Sequence, residues 1–202
     1  MRPSVEKIAA SLSENDFHRP TPSETADYCR FLAARARLGM PEANKLHIRH
    51  ATREDAALIV ELIQGLAEYE RASNAVHATE ADIIRDGFSS NPRFHCIIAE
   101  WERRSAGFAF YFFHYSTWLG RPGLYLEDLF VRPELRNKGI GRALLAHLAT
   151  IAVRENCYAM RWQVLDWNQP AIDFYEKLGA KVMREWLDVR LSGAALKNLA
   201  IG

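Results

Sequence analysis

The stretch Leu124-Tyr125-Leu126-Glu127-Asp128-Leu129-Phe130-Val131 carries most of the information about the fold, together with the segment Arg136-Asn137-Lys138-Gly139-Ile140-Gly141 that follows it. The first segment is typical of a largely apolar strand, and the second opens a helix predicted to run from about Gly139 to Arg154. A helix N-terminus presents unpaired N–H groups, and glycine allows close approach of an anion. We therefore expect a diphosphate to bind here, although an ordinary glycine-rich turn is the alternative.

Two common phosphate motifs do not match this segment. The Walker pattern requires Gly-Lys-Ser/Thr, which is absent from the sequence. The Rossmann pattern requires three glycines at the first turn of a parallel strand–helix unit, whereas antiparallel-looking strands precede this segment.

Hydrophobic periodicity predicts an alternation of strands and helices on either side of this segment. The predicted strands are 46–50, 94–101, 106–114, 124–131, 160–165 and material within 180–190. The predicted helices begin near Ala56, Glu80, Gly139, Pro170 and Ser192. This order favours an α/β fold with a mixed, mostly antiparallel central sheet and helices on both faces.

A boundary near Gly39-Met40-Pro41 divides the chain. Residues 1–40 are predicted to be an N-terminal helical extension, with Thr21 as an N-cap and Pro22 in the first turn of its second helix. Residues 41–202 are predicted to form the main domain.

Composition excludes several classes of protein. The 202 residues are 49% hydrophobic and 25% charged, as expected of a globular chain, and the net charge of +1 gives no general attraction for nucleic acid or an anionic membrane. The odd number of dispersed cysteines argues against disulfides and favours the cytoplasm: Cys29, Cys96, Cys157. No metal site is expected, since the tempting histidines lack ligand spacing: His95, His114, His147.

The glycine segment resembles the acetyl-CoA motif of the GNAT superfamily of N-acetyltransferases, Arg136-x-x-Gly139-x-Gly141. Residues 124–131 and 167–180 look like the diamine (spermidine/spermine) N-acetyltransferase branch, as do Tyr69-Glu70, Asp86-Gly87-Phe88 and Phe94-His95-Cys96. The resemblance extends over about Leu46 to Ala200 and leaves residues 1–40 without a counterpart. It implies the GNAT fold, acetyl-CoA as co-substrate, no metal, a small cationic amine as acceptor, and a homodimer in which C-terminal strand material is exchanged or packed across the interface.

The resemblance also implies two catalytic residues. A free alkyl amine has a pKa of about 10.4 and must lose a proton before it attacks a thioester. Glu127 corresponds to the family's base, which acts through water, and Tyr175 to the acid that protonates the CoA thiolate. Glu127 and its neighbour Asp128 should point to opposite faces of the strand, and which one faces the site stays open. A structural carboxylate and a core aromatic are the alternatives for Glu127 and Tyr175.

Further site residues are transferred by segment. Acetyl-CoA is expected to contact Leu129, Phe130, Val131, Arg136, Asn137, Lys138, Gly139, Ile140, Gly141, Arg142, Asn168 and Tyr175, with a splay or bulge in the strand to free its N–H groups. Arg136 and Lys138 could instead be simply solvated. The acceptor is expected to contact Tyr69, Glu70, Trp118, Glu127, Asp128 and Trp162, while Gln163 and Trp186 are weaker candidates.

One departure weakens the case for a long polyamine. The family's polyamine enzymes carry an acid where this chain has Ser116, so a shorter diamine or a lysine analogue such as thialysine fits as well. Two other functions stay open, namely a protein lysine or N-terminal acetyltransferase and a non-catalytic CoA-binding regulatory module.

Overall fold

The computed structural model describes residues 45–201, which form two compact units that divide after Trp162. The predicted N-terminal extension, residues 1–40, lies outside the described residues.

A five-stranded sheet in the order β1 to β5 forms the centre of the first unit. Its first four strands form an antiparallel meander: β1 (Leu46–His50), β2 (His95–Trp101), β3 (Arg104–Ser116) and β4 (Arg121–Val131). The fifth, β5 (Met160–Arg161), is parallel to β4. The mixed, mostly antiparallel sheet predicted from the sequence is therefore confirmed, although β5 is much shorter than the expected strand 160–165.

Three helices of the first unit cover the sheet: α1 (Ala56–Tyr69), α2 (Glu80–Gly87) and α3 (Ile140–Arg154). Apolar side chains of α1 and α2, such as Ile59 and Ile83, form one core with Phe108 and Phe130 of the sheet. The four β2 residues from Cys96 to Ala99 are all buried, and side chains alternate along a strand, so both faces of the sheet are covered. The second face packs against α3, which contacts β1 through β4.

Local polar contacts define where α1 and α2 begin. Thr52 and Asp55 form a capping box at the 3₁₀ turn that leads into α1, and Thr79 and Asp82 form another at α2. Arg49 of β1 joins the first box to the sheet, since its guanidinium donates to both Asp55 carboxylate oxygens at 2.7 and 2.8 Å. The helix starts expected from the sequence at these two places are confirmed.

The second unit contains two helices, α4 (Gln169–Lys177) and α5 (Gly193–Ile201). The expected strand within 180–190 is wrong for this structure, because these residues have no strand structure and residues 181–190 are exposed to solvent. Leu187 and Val189 are 85% and 90% exposed. The alternating pattern of this segment fits a strand, but a strand requires hydrogen bonds from a neighbour, and no described residue supplies them.

Candidate active site

A β-bulge interrupts the pairing of β4 at Glu127. Phe110 of β3 pairs with Asp128, whereas the next residue, Tyr111, pairs with Leu126, so Glu127 has no residue opposite. Bulges add local twist and turn a side chain away from the regular alternation. A splay or a bulge was expected in this strand, and the bulge is confirmed. It leaves the Glu127 side chain exposed to solvent.

The other edge of β4 is largely open. Pairing with β5 involves only Leu124 and Tyr125, so among the described residues no strand adjoins residues 126–131 on the side away from β3. Backbone N–H and C=O groups along such an edge are available to an extended ligand. Leu129, Phe130 and Val131 lie in this stretch, which lacks a strand partner among the described residues because β5 ends at Arg161.

Three carboxyl groups surround the bulge. Burial, the like charge of Glu127 and then that of Glu70 raise the pKa of Asp128 to about 7. Glu70, which follows the last residue of α1, is open to solvent, but neighbouring atoms desolvate its carboxyl enough to raise its pKa. The structure thus brings Glu70, Glu127 and Asp128 together, and Asp128 is the one whose proton is poised near neutral pH.

Asp128 and Glu127 differ in their surroundings. Asp128 pairs with Phe110 and lies two residues from Phe130, on the face of the sheet that packs against α1. Glu127, as the extra residue of the bulge, lies outside that alternation. The two carboxyls therefore have different environments. Asp128 is half-buried beneath α1, and Glu127 is in contact with water.

Arg136 does not point toward the glycine segment. Its Nε donates to the Val131 carbonyl oxygen at 3.0 Å, and its guanidinium carbon lies 4.3 Å from the centroid of the Tyr69 ring. The same carbon lies 5.9 Å from the centroid of Phe130. Sequence reasoning missed this contact, because the separation between Tyr69 and Arg136 along the chain gives no local signal.

The start of α3 has the geometry of an anion site. Asn137 and Gly139 both have left-handed backbones, with φ of 62° and 77°. Gly139 is the N-cap and offers no side chain to the first N–H groups of the helix. Such consecutive N–H groups, at the positive end of the helix dipole, attract phosphate. Lys138 adds a positive charge, and its Nζ lies 5.5 Å from the Trp101 ring centroid.

Two predicted donor-site residues belong to the second unit. Asn168 is the N-cap of α4, where its side chain accepts a hydrogen bond from the N–H of Ala171, and the residue is buried. Tyr175 lies on the same helix with its ring centroid 5.4 Å from that of Phe174. The short helix predicted to begin near Pro170 is confirmed, and the catalytic and binding roles of Asn168 and Tyr175 stay predictions.

Two tryptophans were expected in the acceptor pocket. Trp118 is 64% exposed in the turn between β3 and β4. The length of β3 between Phe110 and Ser116 separates that turn from the bulge by about 20 Å at roughly 3.4 Å per residue. The structure therefore does not bring Trp118 together with Glu70 and Asp128. Ser116 itself supports the turn, because its Oγ accepts a hydrogen bond from the N–H of Leu119. Trp162, just after β5, is half-buried.

Two further properties concern residues 45–201 as a whole. No group of three or more His, Cys, Asp or Glu side chains there is arranged to hold a metal ion. No helix in this part of the chain combines the length and apolar character needed to cross a membrane.

Comparison with known proteins identifies the family. Residues 60–180 match the model of the Acetyltransferase (GNAT) family. The chain is 41% identical over 164 residues to thialysine N-epsilon-acetyltransferase of Sus scrofa, covering 76% of this chain and 96% of the relative. It is also 41% identical over 140 residues to spermidine/spermine N(1)-acetyltransferase-like protein 1 of Homo sapiens, covering 66% of this chain but only 20% of that protein.

A solved structure shares the fold. An integron cassette protein from the mobile metagenome of V. cholerae superimposes with a TM-score of 0.67 at 30% identity, covering 78% of this chain and 99% of the other. The bulge in β4, the helix that begins after Gly139 and these matches all support the same family assignment. The chain belongs to the GNAT family and is an acetyl-CoA-dependent N-acetyltransferase that acts on amines.

Proposed function

We propose that this enzyme acetylates the primary amine of a small cationic substrate, either a thialysine-like amino acid or a diamine or polyamine. The observation that carries this proposal is the group of carboxyls at the bulge, where burial and then the like charges of Glu127 and Glu70 raise the pKa of Asp128. Such a concentration of negative charge favours a cation and disfavours an anionic acceptor. The two relatives are named for substrates of the same class.

The donor half of the proposal uses the same strand. Acetyl-CoA would lie along the open edge of β4 at Leu129, Phe130 and Val131, with its diphosphate at the start of α3. The left-handed Gly139 and the uncapped first turn support this arrangement. Asn168 and Tyr175 are proposed to lie along its thiol end.

The proposed chemistry is direct attack of the amine on the thioester carbonyl. A C–N bond forms, the C–S bond breaks, and the amine proton passes to Glu127 through water while Tyr175 protonates the departing thiolate. The solvent-exposed position of Glu127 supports a water path. We assign Asp128 to the binding of the cationic acceptor, whose positive charge favours the ionised carboxylate.

A panel of amines with acetyl-CoA tests the substrate class: putrescine, spermidine, spermine, thialysine, lysine and a lysine peptide. We expect the highest kcat/KM with thialysine or a short diamine. A strong preference for the peptide would instead support a protein acetyltransferase. Binding of CoA without acetylation of any amine would support the regulatory module.

Single substitutions test the assigned roles. Glu127→Gln is expected to lower kcat/KM by about 10²–10⁴-fold, the usual contribution of general base catalysis. Tyr175→Phe should lower kcat and leave CoA binding nearly intact, and unchanged turnover would contradict its role as the acid. Glu80→Gln is the matched control, because it makes the same substitution at an exposed carboxylate of α2, outside the proposed site and the proposed dimer contact.

We also propose a homodimer in the cytoplasm. Leu187, Val189 and Leu191 alternate with charged residues and are exposed, as expected of a strand whose partner is another copy of the chain. Light scattering should give twice the chain mass, and Leu187→Asp should give the monomer. A wild-type monomer at micromolar concentration would contradict the dimer. The dispersed cysteines, of which Cys96 and Cys157 are free, support a reducing compartment.

A further inference from the structure

Arg136 joins the two halves of the site through one side chain. It begins the glycine segment that we assign to acetyl-CoA, yet its Nε donates to the Val131 carbonyl at the end of β4. Its guanidinium carbon lies 4.3 Å from the ring centroid of Tyr69, the last residue of α1. A guanidinium at this distance from an aromatic ring makes a favourable cation–π contact. The side chain therefore spans from the donor segment to the helix that carries Glu70.

The end of α1 sits close to β4 at the same point. A Cβ built on Gly65 of α1 would lie 3.0 Å from ring carbons of Phe130, so only glycine allows the helix to approach this ring without displacing it. The guanidinium of Arg136 also lies over Phe130, at 5.9 Å. Phe130, Tyr69 and Arg136 thus form one stack between the helix and the strand, and we name these three residues the Arg136 stack.

The Arg136 stack lies beside the acceptor carboxyls. Tyr69 immediately precedes Glu70, and Phe130 lies two residues after Asp128 on the same strand face. The charge of Glu70 is near enough to raise the pKa of Asp128. A shift of the α1 end relative to β4 would therefore change the spacing of the two carboxyls that bind the acceptor.

We propose that Arg136 is a positioning residue for the acceptor amine, which holds the Tyr69–Glu70 end of α1 against β4, and that it does not act as a phosphate ligand. This inference rests on the proposed function for its kinetic consequences, while the contact itself can be tested without activity. Lysine cannot replace arginine here, because an ammonium group lacks the Nε donor and cannot bond Val131 while its charge lies over the ring.

Kinetics of Arg136→Lys separate the two roles. If Arg136 positions the acceptor, the lysine variant should raise the acceptor KM by about 3–10-fold, the value of a cation–π contact, and change the acetyl-CoA KM by less than about twofold. If Arg136 instead binds phosphate, lysine keeps the charge and should change little. Only Arg136→Met should then raise the acetyl-CoA KM. An acetyl-CoA effect of Arg136→Met that lysine rescues, with an unchanged acceptor KM, would overturn the proposal.

Tyr69 provides the partner for a double-mutant cycle. Tyr69→Leu removes the ring and should raise the acceptor KM as Arg136→Met does, and the double variant should be no worse than either one. Tyr69→Phe is the matched control. It keeps the ring, so its acceptor KM should stay close to that of the wild type. Multiplying effects in the double variant would show that the two side chains act independently, which contradicts the stack.

Thermal unfolding gives a readout that does not depend on turnover. The Tm losses of Arg136→Met and Tyr69→Leu should be clearly less than additive in the double variant. If no amine is acetylated, the proposed function fails, but the thermal cycle still tests the contact between Arg136 and Tyr69. Additive Tm losses would overturn the Arg136 stack, and non-additive losses would support it.

Discussion

Replacing Asp128 with asparagine should make the protein more stable at alkaline pH. Asp128→Asn keeps the size of the side chain and removes its charge. In the native protein, burial followed by the like charges of Glu127 and Glu70 raises the pKa of this carboxyl to about 7. In the unfolded chain an aspartate has a pKa of about 3.9. The native state therefore holds a proton that the unfolded state has already lost throughout the range between these two values.

The direction and size of the effect follow from linkage. A carboxyl whose pKa is raised on folding lowers stability as pH rises through this range, and the loss is complete above the native pKa. Between pH 5 and pH 8.5 the unfolded carboxyl stays ionised while the native one ionises near pH 7. The wild type should lose about 2–3 kcal/mol across this interval, at about 1.36 kcal/mol for each pH unit up to the native pKa. Asp128→Asn should not lose this stability, because asparagine has no carboxyl group to ionise.

Thermal unfolding of both proteins at pH 5 and pH 8.5 measures the difference. For a chain of this size, 1 kcal/mol corresponds to about 2–4 °C in Tm. The advantage of Asp128→Asn should therefore be about 5–10 °C larger at pH 8.5 than at pH 5. The control is Glu80→Gln, at an exposed carboxylate of α2, whose Tm difference should change far less between the two pH values. An Asp128→Asn difference that is equal at the two pH values, or smaller at pH 8.5, would refute the reasoning.

Three other substitutions test separate parts of the structure. Arg49→Met should lower the free energy of unfolding by about 1–2 kcal/mol at pH 7, as measured by urea unfolding. This loss should vanish as pH falls toward 2, because Arg49 lowers the pKa of Asp55 to about 2 and protonation of Asp55 ends the ion pair. Gly139→Ala forces a left-handed backbone on alanine at a cost of about 1–2 kcal/mol, and calorimetry should show weaker CoA binding. Leu144→Ala, at a fully buried position of α3, should destabilise by about 2–5 kcal/mol in the same urea assay, and a cost below 1 kcal/mol would contradict its place in the core.

Elements with strong local signals were predictable from the sequence. The helix expected from about Gly139 to Arg154 is found at Ile140–Arg154 with Gly139 as its N-cap. The capping residues Thr52 and Thr79 also mark real helix starts. Periodicity and caps act between residues within one or two turns, so one sequence contains what is needed to recognise them.

Features that depend on distant residues were not predictable. The segment 180–190 has the alternation of a strand, but pairing depends on whether a strand edge is available, and no strand within residues 45–201 pairs with it. The sequence named both Glu127 and Asp128 as candidates and could not separate them. Their difference arises from the bulge opposite β3, which shifts the alternation by one residue and leaves Asp128 beneath α1.

One strand, β4, connects the proposed acceptor and donor sites. Its irregular geometry explains why Asp128 is desolvated and therefore lowers the stability of the folded protein at high pH. The bulge turns Glu127 outward and leaves Asp128 desolvated, and the same strand then continues with an open edge to Val131. A regular strand paired on both sides would satisfy its backbone and leave no edge for a thioester. A carboxyl there in full contact with water would hold a cation only weakly, since water screens charge. The irregular strand therefore costs free energy at the Asp128 carboxyl, and in the proposed function it provides two adjoining surfaces, one for the cationic acceptor and one for the acyl donor.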